Sequence, residues 1–344
     1  MGMTKNVYFV LLCISLSMGG QSQTPTDETG YYDVVHANIS KKVIDWSDIA
    51  DTTISQWLGY DESNISCTST REVKAKSKPI DAFFQNDKYL NETEDTFIRL
   101  RTDSHFQSRD SNSFNLRLSA QIPFNKCRQQ LKLFVEDISL DSNKQEVKQN
   151  ENTDTNLGIR YFGKVRSGIE SRYSLGIRGI NPYASARYRL PFQTDNWFID
   201  TTQRFQYSIK DAFEEKTNIY FDRTLDDKSL FRFNVQRGTS TDIDGMDYGF
   251  VFQYYLNPKQ NTGLSFSQSF FGNTKYKIPN EGESAQSYSG INDYVSSLSY
   301  RANIWRKWFY YELNPSVNFH REHDYKANYS IRIFFDFYFG EYNQ

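Results

Sequence analysis

The stretch that most constrains the fold lies at residues 328–340 and reads NYSIRIFFDFYFG. Its apolar residues occupy alternate positions: Tyr329, Ile331, Ile333, Phe335, Phe337 and Phe339. Successive side chains of a β-strand point to opposite faces of the sheet. The stretch therefore predicts a strand with one aromatic face and one mostly polar face, and the polar face carries Arg332 and Asp336.

The same period of two continues through most of the chain from about residue 94. Apolar and polar positions alternate in a long series of segments, for example 114–122, 248–254 and 309–319. Most of the segments are close to the roughly 9–11 residues that a tilted strand needs to cross a bilayer. We therefore predict an all-β fold of about fourteen strands, with about twelve as the alternative, because single-chain bacterial barrels have even strand numbers.

The connections between these segments fall into two groups. If they are assigned alternately to two ends, one end receives only short connections: 123–128, 164–167, 191–195, 223–228, 256–260 and 302–307. The other end receives the long ones, 139–154, 239–246 and above all 271–289. Short turns at one end and long loops at the other are typical of transmembrane β-barrels.

The composition agrees with this architecture. The chain has 27 Phe and 24 Tyr, which suit strands and membrane interfaces. Beyond the N-terminus, no apolar run approaches the roughly 20 residues of a membrane-spanning helix. The 40 basic and 42 acidic residues give a net charge of −2, so no charge bias favours binding to nucleic acid.

Residues 94–340 resemble bacterial outer-membrane β-barrels of the porin class in their alternation, their loop asymmetry and their aromatic last strand. The resemblance implies a transmembrane antiparallel up-and-down β-barrel, over about 93–340, whose last strand pairs with the first strand near Ile98. It also implies contact with outer-membrane lipids, and the barrel-assembly machinery and periplasmic chaperones as partners. It identifies no subfamily and no oligomeric state.

The N-terminus has the parts of a secretory signal peptide. Lys5 precedes the apolar run 7–16, and small residues follow up to Ser22. We assign the signal peptide to residues 1–22 and expect an outer-membrane protein whose segment 23–92 lies in the periplasm. At the other end, residues 341–344 form a polar tail.

The segment before the barrel contains one helical pattern. Apolar positions between 35 and 57 recur at spacings of three and four, which predicts an amphipathic helix over about 33–58. A break into two helices is possible at Asp45 or Ser47, either of which could be an N-cap. The helix either packs beneath the barrel or plugs its mouth. Residues 60–92 show no clear period and predict a linker or a segment laid against the barrel.

Two cysteines, Cys67 and Cys127, remain after removal of the signal peptide. An even number of cysteines in an exported protein suggests a disulfide. Such a bridge would join the segment before the barrel to the first short turn. The alternative is a pair of unbridged thiols.

Arginines dominate the polar faces, which point into the lumen if the apolar faces meet lipid. The predicted basic wall comprises Arg99, Arg101, Arg117, Arg160, Arg172, Arg187, Arg189, Arg232, Arg301 and Arg332. The acidic residues predicted on the same faces are Glu136, Asp200, Glu312 and Asp336. A cationic wall favours anions such as carboxylates and phosphates. Alternatively, the arginines pair with the acids and merely fill the lumen.

The sequence offers little for catalysis or cofactor binding. Outer-membrane phospholipases carry a His with a Ser two residues later, and none of the four histidines has that neighbour. His320, Glu322 and His323 are close together in a predicted outer loop, but a solvated loop explains them better than a metal site. We therefore predict no enzyme, no cofactor and no metal ion.

The most favoured function is a porin-like channel for small polar or anionic solutes through an Arg-rich lumen. The alternative is a structural or assembly barrel whose N-terminal segment plugs the lumen or binds periplasmic envelope partners. A lipid-modifying barrel enzyme ranks third.

Overall fold

The computed structural model describes residues 30–57, 79–84, 97–124, 131–137, 155–163, 165–210, 212–241, 245–277 and 287–340. Within these ranges the α-helices are α1 (Tyr31–Trp57) and α2 (Pro79–Phe84), and Arg321–His323 form a short 3-10 helix. The first seven strands are β1 (Phe97–Gln107), β2 (Ser113–Phe124), β3 (Leu131–Asp137), β4 (Thr155–Phe162), β5 (Glu170–Arg178), β6 (Asn181–Gln193) and β7 (Phe198–Ser208). The others are β8 (Ala212–Asp226), β9 (Ser229–Ser240), β10 (Asp247–Lys259), β11 (Thr262–Lys277), β12 (Ser287–Asn303), β13 (Phe309–His320) and β14 (Ala327–Gly340).

The fourteen strands form one closed antiparallel barrel. Every strand pairs with its neighbours in sequence, and β1 pairs with β14, so that Ile98 lies opposite Phe339. Closure removes the free edges that an open sheet would expose. The predicted all-β fold, its strand number and the pairing of the last strand with the first are confirmed.

The two faces of the barrel have opposite polarity. On β2, Phe114 is 70% exposed and Leu116 is 62% exposed, whereas Arg117 is buried. Arg99 and Arg301 are among the largest fully buried side chains. Apolar side chains therefore point outward and polar ones point inward, which is the arrangement of a barrel surrounded by lipid.

The two ends of the barrel also differ. At one end, here called the short-turn end, residues 227–228 and 260–261 form two-residue connections, and residues 163–169 form a longer one. The opposite end, the long-loop end, carries 241–246 and the connection between β11 and β12, together with the two-residue turn 179–180. The prediction of a loop over 271–289 is wrong at both borders, because β11 extends to Lys277 and β12 begins at Ser287. Backbone pairing needs no apolar pattern, so a polar hairpin can extend beyond the apolar band.

Helix α1 is continuous, so the break that the sequence allowed at Asp45 or Ser47 does not occur. Ser47 lies inside the helix and is buried, as is Val43 four residues earlier. A serine that is buried within a helix is an interior residue and does not cap a new one. The chain divides within α1: residues up to Asn38 belong to one compact unit, and Ile39–Gln344 form the other. Neither described α-helix has the length and apolar character that a membrane-spanning helix needs.

Several predictions concern residues outside the described ranges. These are the signal peptide at 1–22, the disulfide between Cys67 and Cys127, and the tail at 341–344. They stay predictions.

Candidate functional site

A row of cations crosses four strands on the inner face of the barrel. Arg172 on β5 lies directly opposite Arg187 on β6. Arg187 lies opposite Arg204 on β7, which in turn lies opposite Lys216 on β8. All four side chains are half-buried. We call these four residues the cationic row.

Like charges placed directly opposite each other in a sheet repel and destabilise the pairing. The cationic row brings together three such adjacent pairs at the same level of the wall. The neighbouring Arg189 donates to both carboxylate oxygens of Asp200, at 2.8 and 2.9 Å, and to Glu170 at 3.2 Å. A row of half-buried cations can attract anions and donate hydrogen bonds to them.

A second row, on β10 to β14, is uncharged. Cross-strand neighbours place Gln253, Ser267, Ser297, Ser316 and Ser330 in one continuous line. The hydroxyl oxygens of Ser316 and Ser330 lie 2.7 Å apart, so these two side chains share a hydrogen bond. We call these five residues the hydroxyl row. It offers donors and acceptors to a solute but no fixed charge.

A compact charged cluster lies toward the short-turn end. Arg101 donates to both oxygens of Asp336, at 2.6 and 2.7 Å. Arg301 donates to the same Asp336 at 2.6 Å and to Glu312 at 3.2 Å. Its Nη2 also donates to the hydroxyl of Tyr338 at 3.0 Å. These arginines neutralise the acids beside them, as the alternative for the lumen predicted.

Two other predicted wall arginines form similar pairs. Arg232 holds Asp222 through two hydrogen bonds, at 2.7 and 2.9 Å, and both side chains are fully buried. Arg117 donates to Asp103 at 3.0 Å. Asp103 and Asp222 were not among the predicted acids, although Asp103 continues the inward-facing positions of Arg99 and Arg101 along β1.

Helix α2 lies inside the barrel, so the interpretation of residues 60–92 as a linker or a segment against the barrel is incomplete. Its Ile80, Phe83 and Phe84 are buried in one cluster with Leu230, Tyr255, Tyr310 and Tyr338 of the inner wall. These wall residues come from β9, β10, β13 and β14 near the short-turn end. The large aromatic side chains of the wall form an apolar surface at this level, and the short helix packs on it.

Two contacts hold α2 in position. Arg301 Nε donates to the main-chain oxygen of Phe83 at 3.0 Å, which satisfies a carbonyl at the end of the helix. Gly263 on β11 leaves room for the two rings, since a Cβ atom there would lie 2.5 Å from Phe83 and 2.6 Å from Phe84. Helix α2 is therefore held by the hydrogen bond from Arg301 and by the space that Gly263 leaves in the wall.

The other predicted site residues lie as follows. Arg99 and Arg160 are buried, and Arg332 is half-buried on the inner face of β14. The side chain of Glu136 is outside the described part of the structure. Sequence reasoning missed Arg204 and Lys216, because the alternation in β7 and β8 is weak and only the strand register aligns them with Arg172 and Arg187.

The predicted histidine cluster does not form a metal site among the described residues. His320 Nδ1 accepts a hydrogen bond from the backbone N–H of Glu322 at 3.1 Å. His323 instead faces Asp110 of the loop between β1 and β2, at 3.4 Å. His323 thus joins two loops at the long-loop end, whereas His320 bonds within its own loop.

No protein-family model matches the chain, and no curated protein matches it. Solved porins resemble its structure. The anion-selective porin from Comamonas acidovorans is 8% identical, with a TM-score of 0.44 over 71% of this chain and 98% of that one. A loop-deletion mutant of OmpT, an outer membrane protein of Vibrio cholerae, has 8% identity and a TM-score of 0.43 over 71% and 98%. For the KdgM porin these values are 5%, 0.33, 70% and 98%.

At such identities the likeness to these porins does not extend to what they transport. The architecture itself stands on the strand pairing and on the polarity of the two faces. The chain is a closed fourteen-stranded antiparallel β-barrel, which is the fold that the resemblance predicted.

Proposed function

We propose that this protein is an outer-membrane channel for small polar solutes and that it prefers anions. The observation that carries the proposal is the cationic row of Arg172, Arg187, Arg204 and Lys216. Like charges in direct register weaken the sheet, so their alignment favours a role in attracting anions over a structural role. Their half-exposed side chains can reach a passing solute.

Helix α2 narrows this channel at the short-turn end. It packs against β9 to β14, and the cationic row lies on β5 to β8, so solutes pass between the helix and the charged wall. Short turns of outer-membrane barrels face the periplasm. In this proposal the segment before β1 is therefore periplasmic, and α2 reaches up from that side.

Conductance in planar bilayers tests the proposal. The purified protein is expected to conduct, with a reversal potential in a salt gradient that indicates anion preference. In the double variant Arg187→Gln/Arg204→Gln, conduction should persist and the anion preference should fall, because two of the four aligned charges are gone. The matched control is Ser267→Ala/Ser297→Ala in the hydroxyl row, which should keep the preference.

A barrel plugged by its own N-terminal segment is the second candidate, and the buried contacts of α2 favour it. The variant Phe83→Ser/Phe84→Ser removes most of the apolar surface of the helix. The control Ile49→Ser changes an exposed residue of α1. A wild type that is closed at all voltages would refute the open channel. If Phe83→Ser/Phe84→Ser then conducts, the plugged barrel is supported in its place.

A further inference from the structure

We propose that Arg99 and Ser119 form a buried binding site for one small oxyanion, a carboxylate or a phosphate, beside the seam where β1 meets β14. Arg99 is 1% exposed and Ser119 is 6% exposed. The two residues lie directly opposite each other on the inner faces of β1 and β2. The inference does not depend on transport, because it concerns an enclosed site.

The donors of this site lack acceptors. Within the described part of the chain, no group accepts a hydrogen bond from Nε, Nη1 or Nη2 of Arg99. The hydroxyl oxygen of Ser119 has no hydrogen-bond partner there either. A buried guanidinium without an acceptor is strongly unfavourable, since an arginine stays charged in a folded protein. Something that accepts hydrogen bonds is therefore expected at this position.

The acids nearby are already engaged. Arg99 lies two residues from Arg101 on the same face of β1 and opposite Tyr338 on β14. Both oxygens of Asp336 accept from Arg101, and one also accepts from Arg301. Glu312 is held by Arg301 and by Ser299. Three arginines thus share two carboxylates, and one bound anion would balance the cluster.

The geometry of the donors indicates the class of anion. The planar fork of a guanidinium matches two oxygens of a carboxylate or a phosphate. The Ser119 hydroxyl adds a third donor from the neighbouring strand. A halide is a single atom, so it does not match the two-oxygen spacing of the guanidinium fork. Because Arg99 is almost fully buried, the anion is a resident of the folded barrel rather than a passing solute.

The test measures thermal unfolding of the full-length barrel, refolded from urea into detergent in a buffer whose only anion is chloride. Acetate or inorganic phosphate is then added at low millimolar concentration, below the range in which such salts act on surfaces generally. Wild type is expected to gain roughly 2 °C or more in Tm with at least one of them. Comparing the two salts identifies the chemistry of the anion.

Arg99→Met should abolish the gain, and Ser119→Ala should reduce it while leaving the barrel intact. Retention of folding in each variant is checked by heat-modifiable migration on SDS gels. The control Arg237→Met removes an exposed arginine whose side chain pairs with Glu215 on the outer face, and it should respond like wild type. The proposal would be overturned if wild type gained Tm with neither salt. It would also be overturned if Arg99→Met and Ser119→Ala gained as much Tm as wild type.

Discussion

The cationic row on β5 to β8 and the hydroxyl row on β10 to β14 are built by the same strand geometry, but they differ in charge. Each row is a line of residues in direct cross-strand register on the inner face. The wall that carries the hydroxyl row also holds α2, through Tyr255, Gly263 and Tyr310. The wall that carries the cationic row supplies none of the residues that bury α2 in the described structure.

In the proposed channel, the two walls therefore have different roles. Both walls contain internal ion pairs, for example Arg301 with Asp336 and Arg189 with Asp200, but in the described structure only the first wall anchors a helix. The other keeps aligned cations at half-buried positions. A wall that binds a structural element needs satisfied polar groups, whereas a wall that attracts anionic solutes needs cations whose side chains reach the lumen.

The largest effect is expected for Asp336→Asn, which removes the shared partner of Arg101 and Arg301. Breaking a buried ion pair by removing one partner typically costs about 3–5 kcal/mol of unfolding free energy. Urea unfolding in detergent measures the loss. The control Glu215→Gln, at an exposed pair on the outer face, should lose about 1 kcal/mol or less. Equal losses in the two variants would contradict the role of Asp336 as an anchor.

Gly263→Val should expel α2 from the wall without changing the helix itself. The new side chain would collide with the rings of Phe83 and Phe84, and valine suits a strand. We expect the loss of about 1–3 kcal/mol of unfolding free energy, from exposure of these rings, and a higher single-channel conductance. The matched change Gly238→Val lies opposite Lys216, away from α2, and a Cβ there would lie 3.7 Å from the main-chain oxygen of Glu215, so it should leave the contacts of α2 and the unfolding free energy nearly unchanged.

Arg204→Gln should lower the charge of the wall formed by β5 to β8 without lowering the stability of the barrel. It removes one cation from between Arg187 and Lys216, so we expect stability to stay equal or rise by about 0.2–1 kcal/mol. The anion preference measured from reversal potentials should fall. A clear loss of stability with unchanged selectivity would show that the cationic row is structural.

Ser267→Ala should have the smallest effect. The residue is half-buried in an uncharged row, and its hydroxyl lies 3.4 Å from that of Ser269. A substitution of this kind usually changes stability by about 0.5 kcal/mol or less. Reversal potentials should match those of wild type. A shift as large as that of Arg204→Gln would mean that the two walls contribute equally to selectivity.

The sequence could predict the faces of the strands but not the rows. Alternation along 328–340 assigns Asp336 to the inside and Phe335 to the outside, and the structure places both there. The alternation does not determine the register between strands, because a slip of two residues leaves every side chain on its own face. The alignment of Arg187 with Arg204 therefore comes from hydrogen bonding between β6 and β7 and not from any pattern within either strand.

The sequence could not predict helix α2 either. Six residues are too few to display a helical period, so the PIDAFF segment looks like part of a linker. An isolated helix of that length is not stable in water. The helix is stabilised by packing on Tyr255, Tyr310 and Tyr338, which only the closed barrel brings together.

The sequence by itself predicted the barrel, a strand number of about fourteen with twelve as the alternative, and which face of most strands meets the interior. Local alternation suffices for this, because every strand must turn its apolar face to the same side. The tertiary structure decided the partners: which arginine meets which acid, which cations align, and where Arg99 is enclosed without an acceptor. Those contacts join residues far apart in the chain, such as Arg101 and Asp336, and they depend on where the barrel closes.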